Sequence, residues 1–243
     1  MNFKLSNIKW IIGSLYLLLL ITGIYFLVTN YNISDFLSYD FIKLNKNTIL
    51  EYKNKNFLYL TAAFFAFCIV WVLLLGFAMP LLIFSGFVFG QWWGILIVLV
   101  STTIGAALLY LLTGLFFRDM IEEKLAPKFS KLKNFFNKNE FVYFMFFRFI
   151  GGGGTPYAVQ NLLPVLFNMS FRNYVIATLL GSMPSMFVTV SLGSGIEKVI
   201  DQNVELTMSK VFFSPEIYIP IIVFFVLLSV AFFAKKIYFK SIS

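Results

Sequence analysis

Four consecutive glycines, Gly151–Gly154, interrupt an apolar stretch that runs from Phe141 to Pro164. Glycine inside a helix costs ~1 kcal/mol relative to alanine, so a run of four ends whatever helix precedes it. Within lipid, irregular backbone survives only where it is buried in protein or lines a wet cavity. A single arginine, Arg148, sits just before the run, and Thr155 and Pro156 follow it. Threonine is a good helix N-cap, and proline suits the first helical position, where its missing N–H is no loss. The stretch therefore reads as a re-entrant, broken hairpin with Arg148 near its tip.

That reading requires a membrane, and the composition supplies one. Only 12% of the 243 residues are charged and 60% are hydrophobic, against ~25% charged in a soluble domain. Lone Cys68 excludes an intrachain disulfide. The chain has no histidine, which removes the usual general base and the commonest metal ligand. With no carboxylate pair in the apolar segments and no nucleophile motif, we expect no enzyme, no cofactor and no metal. The net charge of +8 is spread among aromatics and acids rather than gathered on a basic module. It fits a membrane face better than nucleic acid.

In chain order, Trp10 to Val28 is an uncharged run of 19 residues, enough to span a bilayer and read as an uncleaved helix. Residues 30–56 are polar and read as an extramembrane loop with a short surface helix. Asn56 to Phe117 carries no charge over 62 residues. Within it, Phe57 to Leu75 reads as a span, residues 76–94 as a first re-entrant element, and Ile95 to Phe117 as a second span. Glycine and proline supply the breaks, at Gly76 to Pro80 and at Gly90 to Gly94. Arg118 to Glu140 holds ten charges, with apolar residues at three- and four-residue steps. This predicts an amphipathic surface helix divided at Pro127. Asn173 to Ile196 spans again, residues 197–213 are polar, and Ile217 to Ala234 is the last span. The expected fold is an all-α polytopic membrane protein with about five spans, two inverted re-entrant hairpins and one surface helix. Its divisions are 1–56, a core at 57–196, and 197–243.

The two broken regions look like repeats. At an offset of 76 residues, Gly76, Pro80 and Gly105 fall on Gly152, Pro156 and Gly181. Interrupted apolar segments at matching positions in two halves point to a site near the midplane. Orientation is contradictory. Five crossings with residues 118–140 in the cytoplasm satisfy the positive-inside rule for most lysines and arginines, but Lys4 and Lys9 favour a cytoplasmic N-terminus, which five crossings forbid.

Arg148 is the sharpest single residue. An arginine at depth costs ~2.5–3.5 kcal/mol on insertion scales, and no Asp or Glu lies in 56–117 or 141–196. Its partners are then backbone carbonyls, water or a ligand anion. It either staples the hairpin or contacts a lipid phosphate. Gly152, Gly153, Thr155 and Pro156 present a helix N-terminus to such an anion, or only allow a tight reversal. Gln160 and Asn161 either line a polar path or hydrogen-bond across the hairpins. Pro80, Gly86, Gly90 and Gly105 are the structural positions of the first hairpin.

Phe144-x3-Arg148, the glycine turn, Pro156, Asn161-Leu-Leu-Pro164 and Gly181 together resemble the VTT domain of the DedA and SNARE-associated Golgi protein superfamily. Ser85-Gly86-x2-Phe89-Gly90-x3-Gly94, followed by Gly105-Ala106, resembles its first-half motif. The likeness covers about residues 60–195. Glycines stand here where the family often has a proline after the arginine. The DedA branch's acid in the first hairpin and its second arginine are missing, so the SNARE-associated branch fits better. The resemblance implies two facing re-entrant hairpins and a role in moving phospholipid or polyprenyl-phosphate lipids between leaflets, or in membrane homeostasis. The alternatives are a non-transporting assembly or envelope-integrity factor and an ion-coupled transporter of a small anion. Membrane lipids are the expected partners, nucleic acid is not, and a homo-oligomer is left open. The expected location is a bacterial inner membrane.

Overall fold

The computed structural model describes residues 39–76, 78–116 and 139–201 continuously, with isolated positions elsewhere. Apart from isolated positions, the expected first and last spans and residues 118–138 of the expected amphipathic helix lie outside the described residues. Among the described residues the chain is helical, without strands.

Helix α1, Tyr39–Lys55, is polar and ends in an i,i+4 pair, with Lys55 Nζ 2.7 Å from Glu51 Oε1. Much of the expected loop is thus helical. At Asn56 the chain bends by 106° into α2, Phe57–Leu73, which carries no charge. The bend falls where the sequence switches from charged to uncharged. A polar helix gains by staying with water while an apolar one gains by leaving it.

Helix α2 ends in a Schellman motif. Leu75 adopts φ 57°, its N–H donates to Val72 O at 3.0 Å, and the Gly76 N–H donates to Trp71 O at 2.9 Å. Helix α3, Ala78–Phe116, follows and is broken once, at Gly90 (φ 76°, ψ 177°). Only glycine adopts that conformation without strain. The first limb of α3 is too short to cross a bilayer, as expected, and Ser85 Oγ bridges the break to Gly94 O at 3.0 Å. The break is narrower than the expected 90–94: helix resumes directly after Gly90.

The second half begins with α4, Glu140–Phe149, and its glycine run forms a 3₁₀ turn, Gly151–Gly154. Short α5, Tyr157–Leu166, then leads to α6, Phe171–Asp201. A second Schellman motif ends α5, with Asn168 at φ 56° and its neighbour Met169 donating to Pro164 O at 2.9 Å.

Helices α3 and α6 carry most of the packing. A Cβ on Gly86 would lie 1.9 Å from Val190 O, and one on Gly193 would lie 2.1 Å from Ile83 O. The two backbones therefore touch at reciprocal glycines, a close approach typical of membrane helix pairs. One core cluster joins α2, α3 and α6 around Cys68, Val88, Val98 and Val190. A second joins α4, α5 and α6 around Phe144, Leu163, Leu166 and Tyr174, with Val72 and Ala106 reaching in from the first half.

The two halves also correspond in contact. A Cβ on Gly105 would meet Val72 Cβ at 2.9 Å and Ile69 O at 3.0 Å. One on Gly181 would meet Arg148 Cβ at 2.8 Å and Met145 O at 2.5 Å. Ile69, Val72, Leu75 and Gly105 each stand 76 positions before Met145, Arg148, Gly151 and Gly181. Leu75 and Gly151 both have positive φ, 57° and 68°. Among the described residues, α3 and residues 171–196 of α6 can each cross a membrane by length and composition, and counting the bent α1–α2 pair as one span gives three.

Candidate functional site

Arg148 lies in the last turn of α4 and is only 2% exposed. Its Nη1 donates to Gln160 Oε1 at 3.2 Å and its Nη2 donates to Asn161 Oδ1. The guanidinium carbon stands 5.1 Å from the Phe144 ring centroid and 5.5 Å from that of Tyr157, within cation–π range. The sequence suggested backbone carbonyls, water or an anion as partners. The structure instead gives two side-chain amides from α5, because the glycine turn brings that part of α5 within reach of Arg148.

Gln160 and Asn161 both fall on the buried face of α5. Gln160 Nε2 donates to Gly151 O at 3.2 Å and to Thr155 O at 2.8 Å. The two amides therefore bond across the second hairpin. Asn161 is fully buried. The Tyr174 hydroxyl stands 3.3 Å from both Asn161 Oδ1 and Ala106 O and gives its proton to one of them. Tyr110 stacks on Tyr174 at 5.0 Å and donates to Met169 O at 2.5 Å. Tyr174, Tyr157 and Tyr110 were not singled out from sequence, since an aromatic in a chain with 32 phenylalanines carries little signal.

Two donors in this cluster are buried without a partner: Arg148 Nε and Asn161 Nδ2. Tyr157 lies close to both Asn161 and Thr102. No carboxylate lies in 141–196 or 56–117. The cluster is thus cationic and rich in donors.

The turn residues behave unequally. Gly151, Gly152 and Gly154 have φ of 68°, 76° and 81°, so the turn requires glycine at these positions. Gly152 is also buried, and a Cβ there would come 2.1 Å from the Gln160 amide. Thr155 does not cap α5. Its Oγ1 donates back to Gly152 O at 2.6 Å, and Pro156, exposed, occupies the cap position without a side-chain bond. The threonine is close enough to the preceding turn to satisfy a carbonyl there, which leaves the α5 N-terminus uncapped by any side chain. Gly153 lies within the turn. In the first hairpin, Gly86, Gly90 and Gly105 act through close packing or positive φ, and half-buried Pro80 stands in the first turn of α3. The hairpin-two anchor is Glu140, whose carboxylate accepts from Ser170 N and Oγ and from Asn173 Nδ2 at 2.6–3.3 Å. No group of three or more His, Cys, Asp or Glu side chains able to hold a metal occurs among the described residues.

Comparison with known proteins places this geometry. The VTT domain profile matches residues 77–195, which take in α3, α4, the glycine turn, α5 and most of α6. The chain is a VTT-domain protein. The Caenorhabditis elegans "Transmembrane protein 41 homolog" is 25% identical over 167 residues, covering 66% of this chain and 66% of that protein, just under two thirds of the relative's length. No solved structure matches. The VTT domain and the apolar helices make this an integral membrane protein. The arginine cluster lies wholly inside the VTT domain.

Proposed function

We propose that this VTT-domain protein moves phosphate-bearing lipids between the two leaflets, with Arg148 receiving the headgroup phosphate. The observation that carries the reading is the buried arginine in a cluster with unpaired donors and no carboxylate. A guanidinium fork matches phosphate oxygens, and buried donors left without acceptors are costly unless some state of the protein supplies one. In this reading the breaks at 76–90 and 151–156 are two re-entrant hairpins that enter from opposite faces. The full chain then crosses the bilayer about five times, with the first and last spans flanking the core. The 76-residue correspondence of contacts around Gly105 and Gly181 supports that arrangement.

A second reading is a non-transporting assembly factor in which Arg148 only staples α4 to α5. It is favoured by the two amide oxygens that already hold the guanidinium. Leaflet exchange of labelled lipid in vesicles containing the purified protein separates the two. Exchange above the protein-free rate, lost in Arg148→Gln at equal folded protein, supports transport. No exchange by the wild type leaves the staple.

A further inference from the structure

Gln160 is held at both ends of its amide. Its oxygen accepts from Arg148 Nη1, and its nitrogen donates to Gly151 O and Thr155 O. The same amide fills the space in front of Gly152. Asn161 is different: it is 0% exposed against 7% for Gln160, and its oxygen faces both Arg148 and Tyr174. Gln160 is therefore the amide that can leave with less rearrangement. Its departure would free one donor of the guanidinium, beside the already unpartnered Arg148 Nε and Asn161 Nδ2. It would also uncover the two backbone carbonyls, Gly151 O and Thr155 O, that its amide nitrogen now occupies. The vacated place calls for an oxyanion on the arginine side and for N–H donors, best carried on a cation, on the carbonyl side.

We propose that Gln160 is an internal surrogate for a zwitterionic headgroup, and that the ligand displacing it carries a phosphate and a primary ammonium. The inference rests on the reading of Arg148 as a headgroup site and narrows it to lipids of the ethanolamine type. A polyprenyl phosphate supplies the oxyanion but leaves Gly151 O and Thr155 O unpaired. A choline headgroup supplies positive charge but no N–H.

The test is binding to the purified full-length chain in detergent, followed by thermal shift and calorimetry. The probes are short-chain phosphatidylethanolamine, its choline counterpart, farnesyl phosphate and soluble phosphoethanolamine. The ethanolamine lipid should bind several-fold tighter than the choline lipid or farnesyl phosphate. Gln160→Met, which keeps side-chain bulk, and Gln160→Ala should both raise affinity for the ethanolamine lipid, because the closed state that competes with it is weakened. Equal binding of farnesyl phosphate and the ethanolamine lipid by the wild type overturns the proposal and needs no variant. Unchanged or weaker binding by folded Gln160→Met also overturns it. Phosphoethanolamine binding as tightly as the lipid keeps the headgroup assignment and moves its source to a free phosphate ester; weaker binding assigns it to the lipid. Loss of all binding in Arg148→Gln with no effect of the Gln160 variants refutes only the surrogate. Full binding in Arg148→Gln refutes the arginine site itself.

Discussion

Gly181→Ala is expected to destabilise the protein and to disturb the arginine cluster at the same time. The added Cβ would lie 2.5 Å from Met145 O and 2.8 Å from Arg148 Cβ. Neither is the far end of a flexible side chain, so α6 and α4 must move apart. Overpacking of this kind costs ~1–3 kcal/mol. Gly114, within α3, is the control, because a Cβ there meets nothing within 4 Å. Alanine at such a helix position gains ~1 kcal/mol from propensity alone. That gain applies to both helix positions and cancels, so the two alanine variants should differ by ~1–3 kcal/mol in unfolding free energy. Reversible unfolding in mixed detergent reads that difference. Because the Cβ of Arg148 is one of the two atoms pushed, lipid exchange per folded molecule should also fall in Gly181→Ala and not in Gly114→Ala. Equal stability of the two variants would refute the close contact of α4 with α6.

Gly152→Val and Gly154→Val place valine at positive φ alike, but only Gly152 faces Gln160. The Gly152 variant should lose more stability, read by thermal unfolding; equal losses would mean that backbone strain alone governs the turn. Glu140→Ala removes the carboxylate that holds Ser170 and Asn173 at the start of α6. It should cost about 1–2 kcal/mol and speed hydrogen exchange at the α5–α6 junction, while an unchanged exchange pattern would show the contact to be idle. Asn161→Leu strips Arg148 of one acceptor within a buried site. It should cost ~1–3 kcal/mol, the penalty for leaving a buried donor without its partner while Gln160 still holds the guanidinium, and no measurable loss would show that water replaces the amide.

Backbone punctuation was legible in the sequence, and side-chain pairing was not. Gly90 and Gly151–Gly154 announce breaks because positive φ is cheap only for glycine, and the structure breaks there. Leu75 and Asn168 also adopt positive φ. Leucine gives no local warning of it, whereas Asn168, directly after an apolar helix, carried a C-cap signal that could have been used. The polarity change at Asn56 marks the end of one element, but the charges of α1 mask any helical period, so most of it reads as loop. The bonds from Arg148 to Gln160 and Asn161 depend on how far the turn rotates α5. That rotation comes from the turn's dihedral angles, which four identical glycines leave undetermined. Thr155 failed as a cap for the same reason: the turn presents the Gly152 carbonyl to it first. Glu140 sat at the edge of a charged segment, and nothing in the sequence tied it to Ser170 thirty residues later.

The central claim is that Arg148 meets lipid phosphate during transport, and paired measurements on Arg148→Gln and Arg148→Lys test it most directly. Leaflet exchange of a labelled phospholipid in reconstituted vesicles is measured beside thermal stability of the same preparations. The account predicts that the glutamine variant stays folded and inserted but exchanges lipid no faster than protein-free vesicles. The lysine variant should retain an intermediate rate, because a point charge replaces a two-pronged donor. Undiminished exchange by folded Arg148→Gln would contradict the account.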